Sequence, residues 1–324
     1  MIAARPSKKN AAWSSYWSEG NVTSLPNLFA DNYGGDVLRF WNEAFAALEG
    51  NSRVLDICTG NGAIAYLVRN HADHRAIRCE IHAIDVAEIQ PANPERGETT
   101  LNEIQFHSGV AVEATNFRSD CFDLVAGQFA LEYCNVADAV KELSRIIRKD
   151  GALILMMHHA DSVTAQRTRY FIDIADVFLK EPTIFYRLRK YAEQHIGQKR
   201  INARKAPQKR QQLLTSLTEA DNISSRFPGN RFVSITLDNI KHLVNRIHSD
   251  PLIRMEEIRE FERAVQHHLI RIRDQRDASF DNERMSELES LLRANGFGSV
   301  HYEPYFLDDV LFAWTLRSRW DGVA

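Results

Sequence analysis

No apolar run in this sequence approaches the ~20 residues that a membrane-spanning helix needs, and Met1 to Asn10 lack the apolar stretch of a secretory leader. These absences predict a cytoplasmic protein that makes no use of a membrane. Cysteine is scarce, and Cys58, Cys79, Cys121 and Cys134 show no C-x-x-C spacing. That excludes a zinc ribbon or a disulfide framework and predicts reduced thiols. His267 and His268 are adjacent and would point to different faces of a helix, so no metal site is predicted. Neither sign of charge dominates: Lys and Arg number 40, Asp and Glu 43, for a net charge of −3 and a pI near 6.5. A chain built as one long phosphate-binding track would be far more basic. Repeats and low-complexity tracts are missing too, which excludes solenoids and propellers.

What is present is an ordinary globular composition, 44% hydrophobic and 26% charged, over 324 residues. That length predicts one large core with a substantial insertion or second domain. The most informative stretch is Val54-Leu55-Asp56-Ile57-Cys58-Thr59-Gly60-Asn61-Gly62-Ala63. It reads as a buried strand, a tight glycine turn and the start of a helix, an arrangement that points unpaired N–H groups at a nucleotide-like ligand. Gly60 to Ala65 also fits G-x-G-x-x-A, with Asp85 ending the next strand, so nicotinamide or flavin binding is one reading. The acid at Asp56, four residues before Gly60, favours another.

D-x-x-x-G-x-G resembles motif I of the class I S-adenosylmethionine-dependent methyltransferases, in the branch that acts on small molecules. The resemblance extends through Ile81–Asp85, Phe122-Asp123-Leu124-Val125, the Lys149-Asp150-Gly151 turn with the strand after it, the helix Leu288–Asn295 with Gly296-Phe297, and Leu311–Leu316. It covers roughly residues 50–160 and 284–318. It implies an α/β fold: a Rossmann-like seven-stranded methyltransferase sheet with an N-terminal helical lid and a large helical insertion. The expected organisation is a lid at 1–49, a cofactor-binding core at 50–160, a helical insertion at 161–285 for capping, dimerisation or substrate binding, and completion of the core at 286–324.

Site residues follow from the resemblance. S-adenosylmethionine is the implied cofactor, with Asp56, ionised, near its ammonium and Thr59, Gly60, Asn61 and Gly62 around its amino-acid end. Asp85 would accept from the ribose hydroxyls, Val86 would pack on the adenine, and the backbone of Val110 or Ala111 would replace an absent adenine-binding Asp. Gln128 lies after the fourth strand, where the family reaches cofactor and acceptor. Glu132 and Tyr133 follow it as candidate acceptor-orienting residues, while Tyr16, Trp17 and Tyr33 resemble the aromatics of a lid. His158 and His159, at the end of the fifth strand, are the candidate general bases, because an imidazole titrates near neutrality.

The insertion departs most from the family. Residues 161–285 carry 23 Lys and Arg against 17 Asp and Glu. The basic cluster is Arg187, Arg189, Lys190, Lys199, Arg200, Arg204, Lys205, Lys209 and Arg210. It reads as a solvated face, a dock for an acidic carrier protein or, less favoured, a nucleic-acid track. The expected function is methyl transfer to a small organic acceptor, free or carrier-bound. An RNA methyltransferase, a non-methylating cofactor-binding protein and a nicotinamide-dependent oxidoreductase remain as alternatives, and a homodimer is an option.

Overall fold

A computed structural model describes residues 7–29, 31–91, 103–179, 184–193, 231–246 and 251–322, with single positions between 211 and 225. The basic residues Lys199, Arg200, Arg204, Lys205, Lys209 and Arg210 lie outside the described residues. Two compact units are present: 1–167 with 274–324, and 168–273.

In chain order the first unit contains α1 (Lys8–Ser18), α2 (Gly35–Ala44), β1 (Ser52–Ile57), α3 (Ala63–His74), β2 (Cys79–Asp85), β3 (Ile104–Ser108), β4 (Phe122–Gln128), α4 (Val136–Ile146) and β5 (Ile147–His158). Helix α5 (Val163–Leu179) carries the chain out of the unit and α8 (Pro251–Ala278) brings it back, with α6 (Ile184–Glu193) and α7 (Arg231–Arg246) between them. Helix α9 (Asn282–Ala294), β6 (His301–Leu307) and β7 (Val310–Arg319) then finish the first unit. The strands form one sheet in the order β3-β2-β1-β4-β5-β7-β6. The first five are parallel; β7 enters antiparallel between β5 and β6.

Alternation explains why both faces are covered. Along β1, Val54 joins the core that contains Trp41, Phe45, Ala126 and Met156, whereas Leu55 and Ile57 join the opposite core with Val125, Leu155 and Trp314. Helix α2 carries Val37, Phe40 and Trp41 at helical spacing and buries all three. Asp281 caps α9, accepting the Arg284 N–H at 2.9 Å. By the same period of two, Asp56 and Gln128 project from the Val54 side of adjacent strands, where Asp56 pairs in register with Ala126. The second unit has its own core, formed by Phe185, Leu188 and Tyr191 of α6, Val233, Leu237 and Ile240 of α7, and Ile258 of α8. No helix among the described residues is long and apolar enough to cross a membrane.

Candidate active site

At the C-terminal end of β1 the chain turns with Cys58, Gly60 and Gly62 all at positive φ, 48°, 54° and 95°. Gly62 is the residue before α3, and glycine holds that left-handed conformation at no steric cost. Above the turn lies Trp17: a Cβ built on Gly60 would stand 2.8 Å from its Cε2 and closer still to its Cζ2 and Cη2. Asp56 is buried, and its Oδ2 accepts from the Thr59 hydroxyl at 2.5 Å and the Ala65 N–H at 3.0 Å. Burial pushes its carboxyl up to about 7 despite those two bonds, with the negative charge of Asp85 adding to the shift. Asp85 accepts N–H bonds from Gly60 and Ala87, each 2.8 Å, and burial holds it at about 6.

A cavity opens over these acids. Asp56, Thr59, Asp85 and Val86 form its floor; Gln128, Phe129 and Tyr133 come from the end of β4 and the turn after it. Trp13, Trp17 and Tyr33 come from the segment ahead of the sheet. Gln128 is oriented by Trp41, whose indole N–H donates to its Oε1 at 2.6 Å. Because an indole nitrogen only donates, the amide must present its oxygen to Trp41, and the buried Nε2 is left without a partner among the described residues.

Eight of the residues expected from sequence therefore line one cavity: Trp17, Tyr33, Asp56, Thr59, Asp85, Val86, Gln128 and Tyr133. The others do different work. Asn61 is a staple: its amide donates to the carbonyls of Trp17 and Asn21 and accepts from the Gln90 N–H, each at 2.8 Å. Gly60 and Gly62 shape the turn without lining the cavity. Val110 and Ala111 also stay off its wall; the Val110 N–H donates to the Asp85 carbonyl, and the Ala111 carbonyl accepts from Ala114. Tyr16 spends its hydroxyl on the Thr23 carbonyl at 2.7 Å, inside the N-terminal segment. Glu132 turns inward instead of towards an acceptor, accepting the His158 N–H at 2.7 Å and the Ala130 N–H at 3.0 Å, and burial pushes its carboxyl up to about 7.

The two candidate bases are corrected most sharply. His158 lies flat against Phe129, with ring centres 3.9 Å apart and planes within 6°, and burial drives its pKa down to about 3. His159 stacks on Trp314 at 4.3 Å, and its Nδ1 accepts the Asp161 N–H. Neither lines the cavity, because aromatic packing at the end of β5 takes up both rings. Replacing His158 with Phe should leave S-adenosylhomocysteine affinity within about threefold by calorimetry. It should also hold or raise the melting temperature, since the buried His158 Nδ1 has no partner among the described residues and such an atom costs about 1–3 kcal/mol. A loss of binding or turnover beyond tenfold would restore His158 to the site. Sequence reasoning missed Lys9, Trp13, Ser24, Phe129 and Asp274; only the aromatic richness of the N-terminal segment hinted at any of them.

S-adenosylmethionine fits these residues. The unpartnered Gln128 Nε2 calls for an acceptor, and Asp56 and Asp85, both held up by burial, would gain from a cation and from hydroxyl donors. Residues 55–155 match the Methyltransferase domain family. Malonyl-(acyl-carrier protein) O-methyltransferase of Enterobacter lignolyticus is 32% identical over 117 residues, 36% of this chain and 43% of that protein. Ubiquinone/menaquinone biosynthesis C-methyltransferase UbiE of Xylella fastidiosa is 29% identical over 140 residues, 40% and 53% of the two chains. The chain thus spans about half, or less, of the length of these curated relatives. Among solved structures, a SAM-dependent methyltransferase of Thermotoga maritima aligns over 97% of this chain and 100% of its own, at 13% identity and a TM-score of 0.45. With the matched segment forming the strand-turn-helix and the parallel strands that build the cavity floor, residues 55–155 are a methyltransferase domain of the class I, S-adenosylmethionine-dependent family.

Proposed function

We propose that the protein transfers a methyl group from S-adenosylmethionine to a small organic acceptor by in-line displacement. The observation that carries this reading is the pair of buried acids, Asp56 and Asp85, ending neighbouring parallel strands and facing one cavity. Asp56 would take the ammonium of the cofactor's amino-acid end, and Asp85 the ribose hydroxyls. Gln128 would donate from the Nε2 that Trp41 leaves unpaired. The cofactor supplies an electrophilic methyl on a sulfonium. What the chain supplies is placement: Trp17, Phe129 and Tyr133 wall the space with aromatic faces, which attract a sulfonium and exclude water. Holding the two reactants in line can account for most of the acceleration, so a dedicated base is not required.

The alternatives are weaker on specific grounds. An antiparallel β7 between β5 and β6 departs from the all-parallel order of dinucleotide-binding sheets. Of the basic cluster, Arg189 is paired with Glu262 and Lys190 with Glu193, which leaves less free charge for a nucleic-acid track. A carrier-bound acceptor draws support from the name of the Enterobacter relative alone.

The test is thermal. S-adenosylmethionine or S-adenosylhomocysteine should raise the melting temperature and NAD should not, because a ligand selective for the folded state stabilises it by mass action. Asp85→Ala should weaken S-adenosylhomocysteine binding by roughly tenfold or more, the loss of charge-assisted hydrogen bonds to the ribose. Stabilisation by NAD alone would end the methyltransferase reading.

A further inference from the structure

Three carboxylates and one ammonium line the cavity among the described residues: Asp56, Asp85, Asp274 and Lys9. The proposed function, on which this inference rests, employs Asp56 and Asp85 for the cofactor. Asp274 is left over. It stands where the chain re-enters the first unit, is only 6% exposed, and accepts the Trp13 indole N–H on Oδ2 at 2.9 Å. Its Oδ1 is paired with the Lys9 ammonium, whose side chain is 59% exposed. The Trp13 ring stacks against Trp17 with centres 5.9 Å apart and planes 21° from parallel, and it meets Tyr133 edge-on at 5.7 Å. A buried carboxylate bordered by aromatic rings is suited to a cationic nitrogen, by direct pairing and by the negative faces of the rings.

We infer that the methyl acceptor carries an ammonium group, which replaces Lys9 on Asp274. A carboxylate that stays ionised while buried is stabilised by an opposite charge beside it. Lys9, on a long and largely exposed stem, supplies that charge between turnovers and can swing into solvent when an acceptor arrives. The same pairing disfavours anionic acceptors, since a carboxylate or phosphate entering here would have to take Lys9 and leave the buried Asp274 unpaired. The ammonium is a recognition handle and need not be the nitrogen that is methylated.

The test uses the full chain saturated with S-adenosylhomocysteine and follows the binding of 2-phenylethylamine, 2-phenylethanol and 3-phenylpropanoate by calorimetry. A second matched set, hexylamine, hexanol and hexanoate, covers a poor fit of the ring. In at least one set the amine should bind about tenfold or more tighter than the alcohol, the range of one charge-assisted contact, and the carboxylate should not bind. Asp274→Asn should erase the amine preference while S-adenosylhomocysteine affinity stays within about threefold. Lys9→Met is the discriminating variant. Removing the internal competitor should tighten amine binding several-fold, whereas a Lys9–Asp274 pair that only pins α1 in place predicts weaker binding of every ligand. Amines no better than alcohols in both sets, or amine binding weakened by Lys9→Met, would overturn the inference and leave the cofactor assignment standing. Failure of S-adenosylhomocysteine to bind would overturn the cofactor assignment and this inference with it.

Discussion

Gly60→Val should abolish measurable S-adenosylmethionine binding, a loss of about a hundredfold or more by calorimetry. Two separate penalties meet at this position. The backbone sits at φ 54°, where an ordinary L-residue costs about 1–2 kcal/mol and a β-branched one more. The added Cβ would also run into the Trp17 ring, which could escape only by lifting α1 and the loop that Asn61 holds to the turn. The double variant Gly60→Ala with Trp17→Ala separates the two. It removes the collision and keeps the backbone strain, so it should recover folding stability relative to Gly60→Ala while still binding poorly, Trp17 being part of the cavity wall. Undiminished binding by Gly60→Val would mean that the turn and Trp17 do not shape the cofactor site.

The second large effect is a pH dependence of opposite sign for stability and for binding. Burial raises Asp56 and Glu132 to about 7 and Asp85 to about 6, against ordinary carboxyl values near 4. Between pH 4 and 7 the folded, ligand-free protein therefore holds protons that the unfolded chain has released. By linkage its stability is fully present below pH 4 as far as these groups are concerned, and it is lost as pH rises through 6 and 7. Without ligand the melting temperature should fall between pH 5.5 and 8, by roughly 2–4 °C for each kcal/mol in a chain of this size. Binding of the ammonium-bearing S-adenosylhomocysteine runs the other way, because it needs Asp56 ionised and so expels a proton. Only a few per cent of Asp56 is ionised at pH 5.5, so affinity should rise roughly thirtyfold towards pH 8. Asp56→Asn should flatten that rise and bind weakly throughout. A ligand affinity independent of pH across this range would remove Asp56 from the ammonium.

The parts of this protein that were legible in the sequence are those governed by local rules. A strand of Val54, Leu55 and Ile57 ending in a glycine turn specifies β1, the turn and α3, and the acids at its rim fall into the cavity. The packing of Val37, Phe40 and Trp41 could be read from helical spacing. Roles that depend on distant partners were not legible. Whether His158 meets an acceptor or a phenyl ring is decided by Phe129, on another strand end, and whether Glu132 points outward is decided by two backbone N–H groups that only the fold brings together. Asp274 lies more than 200 residues from the motif it faces and carries no pattern of its own. Asn61 sits inside the motif, yet its side chain serves the segments around the turn rather than a ligand.

The place of β7 has a practical consequence for anyone expressing this protein in pieces. A clone limited to the family-matched stretch would leave β5 as a bare edge without its antiparallel neighbour and would strip Trp41 and Phe45 from the apolar face they cover. Such a fragment, exposing an unpaired strand and an uncovered apolar face, should precipitate on expression. The smallest piece expected to stay in solution must carry the flanking segments on both sides of that stretch, α2 ahead of it and β7 behind it.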